Sequence, residues 1–155
     1  MVQNTSLKTL IAEFADIQMV AISGRNEVMK EAFEKIVVDS NSVNRVKILE
    51  YTKKVPELMS ISDLVITKPG GLTSTESLAS ELPMIIINPI PGQEEQNAEF
   101  LEKTGVGVWL KKDDNVKEVL KSVIGSNEKL EQMKSKIQGL ANKRSTRDIC
   151  EIILK

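Results

Sequence analysis

The sequence predicts an α/β domain built on a parallel sheet with helices on both faces. Short unbroken apolar runs recur along the chain, and between them lie stretches whose apolar residues return at helical spacing. Parallel strands buried on both faces read as continuous apolar runs, and a helix normally makes the crossover between them. No internal repeat, low-complexity tract or Gly/Ser linker interrupts the 155 residues, so residues 1–155 are read as one domain.

Leu7, Leu10, Ile11 and Phe14 form the first helical stripe. Residues 19–23 (Met-Val-Ala-Ile-Ser) read as a short buried strand ending at Gly24. Val28, Ala32, Phe33, Ile36 and Val37 make the next helical stripe, 46–51 is extended, and 55–61 is a short helix. Residues 64–67 form a strand closed by Pro69-Gly70-Gly71, followed by a helix over 72–82, and Pro83 precedes the strand 84–87. Helix 97–103, extended 106–110, and helices 116–124, 128–140 and 144–154 complete the chain. In the last of these, Ile149, Ile152 and Ile153 read as a core stripe, with Cys150 as buried filler beside it. A doubly wound unit normally opens on a strand, whereas this chain opens on a helix. The expectation is therefore that Met1 is not a natural beginning and that a first strand precedes it.

With 21 basic and 22 acidic residues the formal charge is −1, which argues against a nucleic-acid binder held by phosphate contacts. Aromatic residues make up 3 %, too few for a base-stacking platform. The chain has no His, which removes Ser-His-Asp and Cys-His catalysis and His-ligated metals. One Cys excludes an internal disulfide and a Cys-cluster zinc site, and makes a reducing compartment the default. The apolar run 84–87 is far too short to cross a bilayer, and no signal-peptide pattern follows Met1. A cytoplasmic location is expected. From Lys111 onward eleven basic and seven acidic residues give +4, but they are interleaved, as on an ordinary solvated helical surface.

Ligands of such sheets bind outside the carboxyl ends of the strands. That directs attention to the turns at Ser23-Gly24, Tyr51-Thr52, 68–72 and 88–94. In the third, Lys68-Pro69-Gly70-Gly71-Leu72-Thr73 joins a buried strand to a helix. Paired glycines let backbone approach a ligand closely, and the helix start offers unpaired N–H groups and a positive dipole end, a seat for phosphate. Thr73, Ser74 and Thr75 add hydroxyls. The loop is neither a Walker loop nor a Gly-x-Gly-x-x-Gly fingerprint. Thr73-x-x-Glu76 is equally a formal capping box. The two readings separate on geometry: a capping box needs the helix to begin just after Thr73, a phosphate site one that begins at Gly71 or Leu72.

The fourth turn reads Asn88-Pro89-Ile90-Pro91-Gly92-Gln93-Glu94-Glu95-Gln96-Asn97. Two prolines stiffen its entry and Gly92 permits a sharp bend. Gln93 and Glu94 can accept from neighbouring sugar hydroxyls. Glu95 and Gln96 read as ordinary residues of a helix's first turn.

Taken together, residues 66–76, Leu82-Pro83 and 88–97 resemble the C-terminal half of the family 28 glycosyltransferases. Within that family they are most similar to the monogalactosyldiacylglycerol synthases and processive diacylglycerol glucosyltransferases. The resemblance runs from about Ser23 to Leu110. It implies a Rossmann-like C-terminal half of a two-domain GT-B enzyme that binds a UDP-sugar, here the donor half of an inverting hexosyltransferase passing glucose or galactose to a lipid such as diacylglycerol. It further implies that Gly70, Gly71, Leu72 and Thr73 hold the diphosphate, Glu76 the ribose, Gln93, Glu94 and Asn97 the sugar, and Tyr51 and Thr52 the uracil edge. Gly24 and Asn26 would face the interdomain cleft, and Lys68 would add positive charge, although a solvated surface role is commoner for Lys. No Asp-x-Asp metal motif is present, so no metal or other cofactor is expected, the helix amides taking the charge of the leaving diphosphate. The acceptor domain would lie upstream and supply the catalytic base, which leaves the base unassigned here and the isolated chain inactive. The longer protein would sit at the inner face of the membrane. Two alternatives are a stand-alone donor-binding subunit docking on a membrane-anchored partner, and a nucleotide-sugar 2-epimerase fragment, against which the Pro-Gly-Gln-Glu stretch argues.

Overall fold

The computed structural model describes residues 2–140 and 150–154. Twelve elements follow in order: α1 Val2–Glu13, β1 Met19–Gly24, α2 Glu27–Asp39, β2 Val46–Glu50, α3 Val55–Ser60, β3 Val65–Thr67, α4 Gly71–Ala79, β4 Met84–Ile87, α5 Gln93–Thr104, β5 Gly107–Leu110, α6 Val116–Ile124 and α7 Asn127–Leu140. All strand pairs are parallel. They form two sheets, β1-β2 and β3-β4-β5.

β4 is the most deeply buried strand, and its alternation divides the core. Ile85 and Ile87 face one way, against Leu10 of α1, Leu120 and Val123 of α6 and Met133 of α7. Met84 and Ile86 face the other way, against Ala98 and Leu101 of α5 and Ile137 of α7. Period-two side chains with helices on both sides are what an unbroken Met-Ile-Ile-Ile run dictates. A third cluster packs Leu7 and Ile11 of α1 with Phe33, Ile36 and Val37 of α2 and Val46 of β2.

Two expectations need correction. β1 is not buried throughout: Met19 and Ala21 pack toward α1 and α2, whereas Val20 and Ile22, on the opposite face, are 48 % and 38 % exposed. The helices α1 and α2 both lie on one side of the β1-β2 pair, and covering one face leaves alternate residues in water. The C-terminal stripe is not core either. Cys150, Ile152 and Ile153 are exposed, the last two at 74 % and 75 %. Met133 and Ile137 of α7, the preceding helix, are the residues that supply this end of the chain's buried apolar contacts to the β3-β5 core. Ile149 and most of the helix expected over 144–154 lie outside the described residues; 150–153 are helical.

Arg45, just ahead of β2, donates to the carbonyl of Phe14 at 2.6 Å and to that of Ile11, satisfying the open carbonyls at the end of α1. Glu13 ties the same helix end to α6 through Lys117 at 2.7 Å and Lys121 at 2.8 Å. Hydrogen bonds from Lys117 and then Lys121 hold the Glu13 carboxyl below the usual carboxylate range. A depressed native value means this contribution is complete above the unfolded value of about 4.3 and is lost as pH falls through the lower native value. Urea midpoints measured against pH should therefore drop on that acid limb, and Glu13→Gln should flatten part of the drop. An unchanged limb in the variant would remove Glu13 from the acid response.

Candidate functional site

The carboxyl ends of β3 and β4 each lead directly into a helix. After Thr67 the chain passes through half-buried Lys68 and buried Pro69 to Gly70, the N-cap of α4, with φ −63° and ψ 146°. The helix begins at Gly71, no side chain caps it, and the first helical bond runs from the Ser74 N–H to the Gly70 carbonyl at 2.9 Å. The amides of Gly71, Leu72 and Thr73 thus lie ahead of that bond, at the positive end of a nine-residue helix. No capping box forms at Thr73, which sits inside the first turn. Geometry therefore meets the condition set for an anion seat rather than the one set for a cap.

Neither glycine is demanded by the fold. Gly70 and Gly71 lack positive φ, and a Cβ added to either meets nothing within 4 Å. A glycine at a helix start that needs no special torsion and abuts no protein atom costs backbone entropy for no internal return. Open space over both amide-bearing residues is the arrangement that close approach by an outside group requires.

Of the three hydroxyls, Thr75 bonds back to the Gly71 carbonyl at 2.8 Å and is spoken for. Ser74 keeps a hydroxyl without a hydrogen-bond partner although the residue is 8 % exposed. Ser77 lies one turn further along the same inward face, bonded to the Thr73 carbonyl at 2.8 Å. Their spacing of three was the signal that Ser74 points inward rather than out. Glu76 is exposed on the second turn. None of the ion pairs among the described residues involves Lys68.

The second turn leaves β4 through Asn88 (φ 45°), a left-handed position that Asn tolerates, and bends at Gly92 with φ 103°, a torsion only glycine adopts readily. The helix α5 then starts at Gln93, four residues ahead of the expected Asn97, because the Gly92 bend already sets the helical direction. Gln93 is exposed, and Glu94 and Glu95 lie in the acid-favouring first turn. Glu94 accepts from the Ile90 N–H at 2.8 Å, bracing the proline loop. Asn97 donates from Nδ2 to the Pro69 carbonyl at 2.9 Å and so couples the two turns, a link invisible in sequence.

At the ends of the other sheet, Gly24 has φ 63° beside a register shift in β1. Asn26 caps α2, its side-chain oxygen accepting from the Met29 N–H at 2.9 Å. Tyr51 is exposed, with the Arg25 guanidinium 5.2 Å from its ring centre, and Thr52 accepts from the Lys54 N–H at 3.1 Å. Arg25 was passed over in sequence because only the pairing of β1 with β2 brings it to Tyr51. Among the described residues no group of three or more His, Cys, Asp or Glu converges as a metal site, and no helix is long and apolar enough to cross a membrane.

A parallel α/β layer whose strand ends open onto uncapped or glycine-started helices defines the class of doubly wound domains with a ligand crevice at those ends. The family model for the glycosyltransferase family 28 C-terminal domain matches residues 3–150. The chain belongs to that family. The processive diacylglycerol beta-glucosyltransferase of Bacillus subtilis (strain 168) is 34 % identical over 139 residues, covering 90 % of this chain and 36 % of the relative. This chain therefore spans about a third of that relative's length. Among solved structures, MurG of Acinetobacter baumannii superposes with a TM-score of 0.75 at 20 % identity, covering 98 % of this chain and 45 % of that one. The Anabaena Alr3699/HepE protein in complex with UDP gives 0.69 at 18 % identity, covering 97 % and 44 %. At these identities the likeness establishes the fold, that of one half of a GT-B glycosyltransferase.

Proposed function

We propose that this chain is the donor half of an inverting hexosyltransferase and holds a UDP-sugar across the carboxyl ends of its strands. The observation that carries the reading is the start of α4: three leading amides, no side-chain cap, and open space over Gly70 and Gly71. There the pyrophosphate lies against the amides of Gly71, Leu72 and Thr73, with the Thr73 hydroxyl alongside and Lys68 adding charge. Glu76 accepts from the ribose hydroxyls. Gln93 and Glu94 meet the sugar, and Asn97 positions the Pro69-Gly70 turn. Backbone at Tyr51 and Thr52 meets the uracil. Glucose or galactose as donor and diacylglycerol as acceptor follow from the name of the Bacillus relative and the motif resemblance. The acceptor domain and the catalytic base belong to a longer protein, cytoplasmic and peripheral at the membrane.

Sugar transfer builds negative charge on the leaving diphosphate. A helix start with oriented amides neutralises it by preorganised electrostatics and calls for no ion. Calorimetric titration with UDP in chelator-treated buffer tests this: heat of binding is expected with and without Mg²⁺, and strict metal dependence would overturn the account. Titrating Gln93→Ala extends the test. Affinity for UDP-glucose should fall by roughly tenfold, one lost hydrogen bond of about 1.5 kcal/mol, while affinity for UDP stays unchanged. Equal losses for both ligands would displace the sugar from α5.

A further inference from the structure

Arg25 and Tyr51 stand apart from the contacts that hold the fold together. Along the β1-β2 pair the register runs from Ile22 opposite Leu49 to Gly24 opposite Glu50, so Ser23 is the extra residue of a bulge. Ser23 is buried, its hydroxyl donating to the Leu49 carbonyl at 3.4 Å. A bulge at the end of a strand re-aims the side chain that follows. Here Gly24, at φ 63°, completes the bend, and the next residue carries its guanidinium over the Tyr51 ring, 5.2 Å from the ring centre. Among the aromatic residues Tyr51 alone follows directly on a strand's carboxyl end.

Both side chains are exposed, and neither is spent on the core. None of the ion pairs among the described residues involves Arg25, and Glu50, the acid next to Tyr51, is taken by Lys30. Holding an exposed Arg over a ring costs rotamer freedom, and the contact returns little in water. What the pair does provide is a plane. A guanidinium is flat and weakly hydrated, and it stacks on aromatic rings and on nucleic-acid bases alike. In the proposed function, backbone at Tyr51 and Thr52 meets the uracil edge, which leaves the faces of the base without a protein partner.

We infer that Arg25 binds the base of the donor nucleotide face-on: its guanidinium, backed by the Tyr51 ring, is the surface on which the uracil stacks. This rests on the UDP-sugar reading of the strand ends and adds to it a contact that selects a flat, conjugated base. Arg25 acts through its plane rather than its charge. Lys, a strongly hydrated point charge, does not replace it.

NMR titrations of the 155-residue chain with UDP and with 5,6-dihydro-UDP test this, because the dihydro base keeps its carbonyls and its imide N–H but loses planarity and conjugation. Arg25→Ala should lower UDP affinity by about tenfold, and Arg25→Lys by nearly as much. Dihydro-UDP should bind wild type about tenfold more weakly than UDP does, and should bind all three proteins alike. Both variants should keep the wild-type melting temperature, Arg25 being exposed. UDP affinity restored by Arg25→Lys would overturn the inference and make Arg25 a phosphate contact. Equal losses for UDP and dihydro-UDP would overturn it in favour of an edge contact. UDP affinity unmoved by Arg25→Ala yet lowered by Gly71→Asp would overturn it alone, leaving the pyrophosphate at α4. A wild-type chain that binds no UDP would overturn the donor reading and this inference together.

Discussion

Gly71→Asp is expected to leave the fold as stable or slightly more stable while lowering UDP affinity by at least about a hundredfold. The two halves of that result come from the same position. Gly71 is the first helical residue of α4, with open space where a Cβ would go. Replacing glycine in a helix recovers about 0.5–1 kcal/mol, and an acid in the first turn gains about 0.3–1 kcal/mol from the dipole. A carboxylate there also faces the proposed diphosphate. Two like charges about 4 Å apart repel by roughly 4 kcal/mol at an effective dielectric near 20, which exceeds the roughly 2.7 kcal/mol that a hundredfold loss requires. Thermal melts and UDP titrations on one preparation read both signs at once. Retained affinity would remove the pyrophosphate from α4.

Glu76→Ala carries the second large effect. Glu76 is exposed, and α4 begins without any side-chain cap, so its removal should move stability by no more than about 0.5 kcal/mol. A carboxylate accepting from ribose hydroxyls is worth about 1.5–3 kcal/mol, which predicts a loss of UDP affinity on the order of ten- to a hundredfold. A UDP analogue lacking both ribose hydroxyls should bind wild type and variant equally. If melting fell and affinity held, Glu76 would be a structural residue and the ribose would lie elsewhere.

Much of the candidate site was legible because glycine and proline act locally. Gly92 and Pro89–Pro91 announce a turn at the end of a strand, and that turn stands where expected, with φ 103° at Gly92. Thr73-x-x-Glu76 was ambiguous because capping boxes and anion seats draw on the same small polar residues. The structure separated them by starting the helix at Gly71, two residues before Thr73. Asn97, by contrast, could not be placed from its neighbours in sequence, since its partner is the Pro69 carbonyl, 28 residues away. Asn26 shows the local side of the same rule: its side-chain oxygen accepts from the Met29 N–H, three residues on, as the cap of α2.

The sequence by itself determined the class of fold, since unbroken apolar runs and helical stripes are properties of neighbouring residues and hold before anything packs. Tertiary structure alone decided which of those residues water reaches. Val20 and Ile22 are as apolar as Ile85 and Ile87, yet the first pair is partly solvated and the second buried. Ile152 and Ile153 look like core and lie exposed, whereas Met133 and Ile137 of α7 are buried. Burial is a competition among elements for a limited area of sheet, and no residue carries the result of that competition in its own side chain.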